Sequence, residues 1–336
     1  MTCRTRFSIL IIPALLFLVT GCSKPSTQVV QPKFNFPMLK KSAAQFEKLP
    51  DRITNKQEFM KAVADSGLSK ESKTISALFR NAIEISITPT DKSKLKTDES
   101  KIGGVPDLPR GMKWPDYQGK PLSFIAQFRL ADIAKYDKDS LLPKTGMLYF
   151  FYDAEEQPGG FEIADKGKWK VIYDATGTSL VTLKPPVTLA AEYQFKPLAL
   201  TFASKDTFPS EYTPFVKDLS IKPQLTNIIW ILQDNRLKGS DNYGSHLLGH
   251  PDEVQNDMYE ECQLASNGVY CGGPEGYNDP RTKSLIKGAT NWQLLLQVGS
   301  YDDMMWGDMG VIYFWITKND LKKHDFNKVW VIMQCG

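Results

Sequence analysis

The sequence lacks the short signatures of several common enzyme classes. It contains no G-x-x-x-x-G-K-[ST] phosphate loop, no H-E-x-x-H zinc-protease motif and no G-x-S-x-G nucleophile elbow. Histidine is scarce, with three in 336 residues, so a Ser-His-Asp triad would have to use one of those three. We therefore expect a protein that is not an enzyme of these classes and that carries no cofactor.

An excess of charge of either sign is also missing. The chain has 41 Lys and Arg against 38 Asp and Glu, and loss of Arg4 and Arg6 with a signal peptide would leave a formal charge of about +1. A protein that binds the phosphates of nucleic acid needs a basic field. We therefore expect no nucleic-acid partner.

Long apolar runs are absent except near the N-terminus, where residues 7–19 are apolar at all but two positions and follow two arginines. Val19-Thr20-Gly21-Cys22 then matches a lipobox, in which small residues precede a cysteine that is acylated and becomes the first residue. We predict a lipoprotein signal peptide over 1–21, lipidation of Cys22 and a tether over 22–44. The lipid would anchor the protein to the bacterial cell envelope. Because aspartate does not follow the cysteine, the outer membrane is favoured if the host is Gram-negative.

Cysteine is sparse in the remaining chain. With Cys3 removed and Cys22 lipidated, three thiols are left. Cys262 and Cys271 are close in one irregular segment, and disulfides are common in exported proteins. We therefore predict a disulfide between Cys262 and Cys271, with a bridge from Cys262 to Cys335 as the alternative.

Three strand-like apolar segments occur twice in the same order. The pairs are 122–128 with 292–298, 146–151 with 310–315, and 170–173 with 330–333. This similarity predicts two copies of a three-strand unit, at 121–174 and 291–335. The expected fold is α+β: a β-rich single domain over 45–336 that contains both units and carries peripheral helices.

Each copy places a glutamine at the same position of its first strand, Gln127 and Gln297. Buried amides require hydrogen-bond partners, so we expect one polar network that the two halves share. Such a network would either fix the strand register or bind a polar ligand between the halves. In the second case Trp306 would form a stacking wall for the ligand.

The turn Trp306-Gly307-Asp308 of the second copy has no counterpart in the first. Beside aromatic residues, the proton affinity of Asp308 could rise enough for acid–base work, and Asp308 with His246 defines a hydrolase-type alternative. An aspartate that accepts hydrogen bonds within its own turn is the structural interpretation.

The spacing of His246 and His250 would let them share a zinc ion only on a helix. Gly249 and Pro251 argue against a helix at this point, so no metal site is expected. A helix is instead predicted to open at 251–253 and to run to Cys262.

Three groups of segments together resemble the YwqG-like family of bacterial proteins. They are 100–109 with Trp114-Pro115, 246–251 with Gln255, and 295–297 through 306–310 with the closing 330–335. The resemblance covers about 45–335 and implies a β-rich single domain without an assigned activity. Many members are cytoplasmic, so the lipobox is a departure from the family. Some relatives are encoded near secreted-toxin systems, which implies an immunity protein as a further alternative.

Taken together, the sequence favours a binding or interaction module at the cell envelope, with a small ligand or a protein as its partner. Its candidate binding residues come from the Pro/Trp loop, the two glutamine positions, the 246–255 loop and the 306–308 turn. They are Trp114, Gln127, His246, Asp252, Gln297, Trp306 and Asp308.

Overall fold

The structure, a computed structural model, describes residues 49–91, 94–237 and 244–336. The predicted signal peptide, the predicted lipidation site Cys22 and the predicted tether lie outside the described residues. No helix within the described ranges is both long enough and apolar enough to cross a membrane.

One ten-stranded antiparallel sheet dominates the described residues, in the spatial order β14-β13-β12-β11-β1-β10-β2-β6-β7-β8. Two short pairs, β3 with β9 and β4 with β5, lie outside it. In chain order the strands are β1 (Arg80–Pro89), β2 (Lys101–Ile102), β3 (Asp107–Pro109), β4 (Asp116–Tyr117), β5 (Lys120–Pro121), β6 (Ser123–Arg129), β7 (Met147–Tyr152), β8 (Trp169–Asp174), β9 (Leu180–Thr182), β10 (Leu198–Thr207), β11 (Ser245–Leu248), β12 (Trp292–Gly299), β13 (Val311–Thr317) and β14 (Trp330–Gln334).

Helices cover the sheet and its connections. They are α1 (Lys56–Asp65), α2 (Ser72–Ser76), α3 (Leu130–Ile133), α4 (Lys222–Leu237), α5 (Met258–Ala265), α6 (Pro274–Tyr277), α7 (Thr282–Leu285) and α8 (Lys318–Lys322). Helix α1 begins after Asn55, whose side chain accepts a hydrogen bond from the backbone N–H of Glu58. Its apolar face, which includes Phe59, packs with Leu225 of α4 and with Phe208 in one buried cluster. The predicted β-rich single domain with peripheral helices is confirmed.

The sheet is symmetric about its central pair, β1 and β10. Strands β6 to β8 form one end and β12 to β14 form the other. The first strand of each copy has a register irregularity two residues before its glutamine, and Gln127 then pairs with Tyr149 as Gln297 pairs with Tyr313. The two predicted three-strand units are therefore equivalent in register as well as in sequence.

The duplicated unit is longer than the sequence predicted. Lys101 of β2 pairs with Gln127, and His246 of β11 pairs with Gln297. Both strands then lead through two residues of positive φ, at 103–104 and at 248–249, to a Pro-Asp pair. The segments K-I-G-G-V-P-D and H-L-L-G-H-P-D share few side chains, but they follow the same backbone course.

The two units are tied together by exchanged strands. β1 precedes the first unit in the chain but pairs with β11 of the second, and β10 precedes the second unit but pairs with β2 of the first. The equivalent residues Phe150 and Phe314 meet in the core, with ring centroids 5.0 Å apart. Neither unit therefore completes its sheet or its core without the other.

Side-chain contacts connect residues at or next to the two end strands of the sheet, β8 and β14, which are not paired with each other by a ladder in the described sheet. We call this region of contact the seam. Trp169 Nε1 donates a hydrogen bond to Val329 O at 2.9 Å, and Trp330 Nε1 donates to Gly160 O at 2.8 Å. Gly160 has φ +76°, and a Cβ there would lie 1.7 Å from Val331 O. The close approach at this seam therefore requires glycine.

The predicted disulfide between Cys262 and Cys271 is wrong, because both are free, buried thiols. Cys271 Sγ lies 3.4 Å from Val269 O, so it faces backbone carbonyl rather than a second sulfur. Burial raises the pKa of Cys271 to about 12 and raises the pKa of Cys262 as well. The alternative bridge from Cys262 to Cys335 is also wrong, because the Cys262 thiol is free.

The helix predicted from 251 to Cys262 begins later than expected. The backbone N–H of Asp252 donates to Gln297 Oε1, and the N–H groups of Val254 and Gln255 donate to Gln334 Oε1. These sheet glutamines hold the segment in an irregular path. Helix α5 therefore begins at Met258, after Asp257 as its N-cap.

Candidate functional site

Gln127 lies at the centre of a buried network in the first copy. Its Oε1 accepts a hydrogen bond from Asp107 N at 2.8 Å, and its Nε2 donates to Glu99 O at 2.8 Å and to Asp107 Oδ2 at 2.9 Å. Tyr149 Oη donates to Asp107 O at 2.7 Å. The glutamine and the tyrosine together fasten the Pro-Asp turn to the sheet.

Asp107 also forms a buried ion pair. Lys101 Nζ lies 2.6 Å from its Oδ2, and the two side chains are 6% and 1% exposed. Thr182 Oγ1 donates to its other oxygen at 2.6 Å. Burial would by itself raise the pKa of Asp107, but the hydrogen bonds from Lys101 and Thr182 and the lysine charge lower that pKa below its ordinary value.

The second copy repeats this arrangement around Gln297. Its Oε1 accepts from Asp252 N at 2.9 Å, and its Nε2 donates to Gly244 O at 2.7 Å and lies 3.3 Å from Asp252 Oδ2. Tyr313 Oη donates to Asp252 O at 2.7 Å. Three of the predicted candidates, His246, Asp252 and Gln297, therefore lie together.

The copies differ in the side chain that faces the aspartate. His246 occupies the place of Lys101, with Nδ1 3.8 Å from Asp252 Oδ2. Its Nε2 lies 3.1 Å from His250 O, a carbonyl that can only accept, so Nε2 carries the proton of that contact. The Asp252 side chain is 13% exposed, which leaves it closer to solvent than Asp107.

The single polar network expected between the halves is wrong. Gln127 and Gln297 each hold a separate Pro-Asp turn, and four strands of the sheet lie between β6 and β12. In both networks the polar groups are matched by neighbouring backbone and side-chain partners. Such complete pairing is typical of groups that fix a fold.

The turn at 306–308 does not form the expected stacking wall. Trp306 is fully buried and packs edge-to-face against Tyr152 and Phe195, with centroids 5.7 Å away in each case. Asp308 is exposed, whereas His246 is 1% exposed. The geometry gives no support to the hydrolase alternative, which requires these two side chains to face each other in one closed pocket.

Trp114, the remaining candidate, lines a cleft of about 660 Å³ beside the seam. We name it the seam cleft; it is lined by residues from 112–118, 166–172 and 326–329. Trp114 Nε1 donates to Leu122 O at 2.8 Å, and its ring packs edge-to-face on Phe151. Because the indole is held at both its polar and apolar sides, this wall of the cleft is rigid.

A tight hairpin, β4–β5, forms part of the same wall. Gln118 and Gly119 at its tip have φ values of 53° and 83°, and Asp116 Oδ1 accepts from Gly119 N at 2.9 Å. The hairpin presses the Tyr117 ring onto Gly167, where a Cβ would lie 2.8 Å from a ring carbon. Glycine at 167 therefore allows the Tyr117 ring to pack directly on the backbone at the wall of the cleft.

The opposite wall of the seam cleft is the seam itself. The rings of Trp169 and Trp330 pack edge-to-face at 5.1 Å, and Phe326 is buried against Tyr173 with centroids 5.6 Å apart. These contacts join the edge strand β8 to the segment before β14. The lining of the cleft therefore combines residues of the first copy with residues of the second.

Size distinguishes the seam cleft from two smaller spaces. A pocket next to Asp107 measures about 60 Å³, enough for about two waters. Another, which includes Gln263 and Trp292, measures about 260 Å³. Sites for small ligands span roughly 300–1,000 Å³, and the seam cleft falls within this range.

Three carboxyl groups, of which that of Glu261 is buried and those of Glu253 and Asp257 belong to half-buried residues, lie near α5 without forming a metal site. Burial raises the pKa of Asp257 to about 7 and that of Glu261 to about 8, and it raises the pKa of Glu253 well above its ordinary value. Across the described ranges, no group of three or more His, Cys, Asp or Glu is arranged to hold a metal ion.

Trp114 is the one sequence-predicted candidate that lines the cleft, and the other lining residues were not predicted. Tyr117, Gly167 and Trp169 come from segments that show no regular motif. The Gln118-Gly119 pair is the one local signal, because a glycine in such a pair suits a two-residue hairpin turn.

A family model described as "Domain of unknown function (DUF1963)" matches residues 100–335, which is more than half of the chain. A comparison with curated proteins gave no match. The matched range includes both glutamines and all three segments of the seam cleft.

Proposed function

The chain belongs to the DUF1963 family of domains of unknown function, and from this membership and the site geometry we propose that it is a ligand-binding module of the YwqG-like type. The ligand would be a small molecule bound in the seam cleft. A lipid on Cys22 would hold the module at the bacterial cell envelope.

The observation that carries the proposal is that the seam cleft combines a volume suited to a ligand with a lining rich in anchored aromatic side chains. About 660 Å³ accommodates a small organic molecule, and the lining is rich in aromatic side chains: Trp114, Tyr117, Trp169 and Phe326. Ligand sites are typically concave, largely apolar and preformed, with few polar groups that orient the ligand. The anchored indoles of Trp114 and Trp169 favour such a preformed site.

The envelope location is supported by the sequence. Positive residues, a short apolar run and the Val19-Thr20-Gly21-Cys22 lipobox occur in the order that a lipoprotein signal peptide requires. A tether between Cys22 and the domain would let the cleft face soluble ligands. Metabolic labelling with a palmitate analogue is expected to label the wild-type protein and to fail with Cys22→Ser.

The test of the ligand site uses a neutral apolar probe, N-phenyl-1-naphthylamine, whose fluorescence rises in apolar surroundings. We expect saturable binding to the purified protein. Asn327→Trp should weaken that binding at least tenfold, or about 1.4 kcal/mol, because the exposed Asn327 side chain borders the cleft and an indole there would occupy it.

Asn319→Trp is the matched control. Asn319 is an exposed residue of α8, so the same substitution there should leave the affinity within twofold of wild type. Equal affinities for wild type and Asn327→Trp, with both proteins folded by circular dichroism, would refute the seam cleft as the ligand site.

A further inference from the structure

We infer that the seam cleft selects an amphipathic anion, a planar apolar ring that bears an acidic group such as a phosphate, carboxylate or sulfonate. This inference rests on the proposed function and adds the chemical class of the ligand. It comes from the charged side chains at the border of the cleft, where positive charges outnumber negative ones although the whole protein is nearly neutral.

Three lysines border the cleft, Lys113, Lys166 and Lys170, against one carboxylate, Asp116. All four side chains are exposed. Asp116 is engaged in its own turn, where Oδ1 accepts from Gly119 N. The net formal charge of the whole chain is only +3, so three cations around one opening are a local concentration of positive charge.

Within the described residues, Lys113, Lys166 and Lys170 form no ion pair with a carboxylate. Asp165 and Glu156 both pair with Lys168, at 3.2 Å in each case, and Lys168 does not line the cleft. Lys170 Nζ contacts Asn327 Oδ1 at 2.7 Å, which is a neutral partner. The border therefore keeps a positive potential that an anionic group of a ligand would complement.

The aromatic lining, which we call the floor of the cleft, and the lysines at its border would contact different parts of the ligand. Trp114, Tyr117, Trp169 and Phe326 offer faces and edges to an apolar ring, which desolvation favours. Lysine ammonium groups are compact and strongly hydrated, so they contribute attraction at the rim without entering the apolar floor. A neutral ring would use only the floor, whereas an amphipathic anion would use both.

The experiment compares two probes that share one ring system. 8-Anilinonaphthalene-1-sulfonate carries a sulfonate that the neutral N-phenyl-1-naphthylamine lacks. The triple variant K113Q/K166Q/K170Q should weaken binding of the sulfonate about tenfold, since each exposed charge contributes on the order of twofold. Affinity for the neutral probe should stay within twofold. In wild type, raising the NaCl concentration from 20 to 500 mM should lower the affinity for the sulfonate probe and leave the affinity for the neutral probe unchanged.

The control variant K70Q/K73Q/K283Q removes the same charge from exposed positions away from the cleft and should change neither affinity. If both probes bind wild type and lose affinity in Asn327→Trp, but the cleft lysine variant treats them alike, selection of an anion is refuted while the binding module stands. If neither probe responds to Asn327→Trp, the proposed function itself fails.

Discussion

Replacing Asp107 by alanine is expected to lower the free energy of unfolding by about 3–5 kcal/mol, because it leaves the Lys101 ammonium buried without its counter-charge. The lysine side chain is 6% exposed and lies 2.6 Å from the carboxylate. The change also removes the acceptor of hydrogen bonds from Gln127 and Thr182. Few surface changes approach this size.

The same replacement at the equivalent position of the second copy, Asp252→Ala, should cost less, on the order of 1–2 kcal/mol. The side chain there is an imidazole rather than a lysine ammonium, and its Nδ1 is 3.8 Å from the carboxylate. Position 246 therefore holds no lysine ammonium that the loss of Asp252 would leave buried without its counter-charge.

Urea unfolding at pH 7.5, followed by tryptophan fluorescence, measures both variants. A second variant, K101M/D107A, removes the stranded ammonium and should recover more than half of the stability lost in Asp107→Ala, because an apolar side chain replaces the unpaired charge. Equal losses for Asp107→Ala and Asp252→Ala, or no recovery in the double variant, would contradict this account.

The pH dependence of Asp107 has a definite sign. Its pKa is lowered in the folded protein, so the ion pair contributes stability above the ordinary carboxyl pKa, and this contribution is lost as the pH falls through the lowered value. The buried ion pair therefore stabilises the Pro-Asp turn, and this structural role does not depend on a ligand at the turn.

The duplicated core was predictable from the sequence because the apolar pattern of a buried strand is local. The segments around Gln127 and Gln297 each carry that pattern and a matching glutamine. The first part of each unit was not recognised as repeated. There the two copies share a backbone course through positive φ at 103–104 and 248–249. Two segments can follow the same backbone course with few identical side chains, so this repeat is hard to recognise from the sequence.

The seam cleft was beyond local pattern for a different reason. Trp114 and Trp169 are separated by 55 residues in the chain, and only the tertiary structure brings them to the border of one space. Trp306 and Asp308 illustrate the opposite error. They are two residues apart, but one is fully buried and the other is exposed, because the turn reverses between them at Gly307, where φ is +53°.

The variant Glu261→Gln is expected to be more stable than wild type at pH 9 by on the order of 5 kcal/mol and nearly equal to it at pH 4. Glu261 is 3% exposed, and its Oε2 has no hydrogen-bond partner in the described part of the protein. Burial, assisted by the charge of Asp257, raises the pKa of Glu261 to about 8.

The sign follows from comparing the folded and unfolded chains. Between an ordinary glutamate pKa of about 4.3 and the raised value of about 8, the unfolded chain releases the proton and the folded chain keeps it. Wild-type stability from this group is therefore complete below the lower pKa and is lost as the pH rises through the upper one. Glutamine resembles the protonated acid in shape and charge at every pH, so the variant avoids this loss.

Urea unfolding of wild type and Glu261→Gln at pH 4, 6.5 and 9 gives the difference in free energy, and other titrating groups cancel where they are common to both proteins. Glu275→Gln, at an exposed position, is the matched control and should show no gain at any pH. A constant difference between Glu261→Gln and wild type would mean that Glu261 titrates alike in the folded and unfolded chains. A difference in the free energy of unfolding that increases with pH would instead show that the buried Glu261 destabilises the folded protein at alkaline pH.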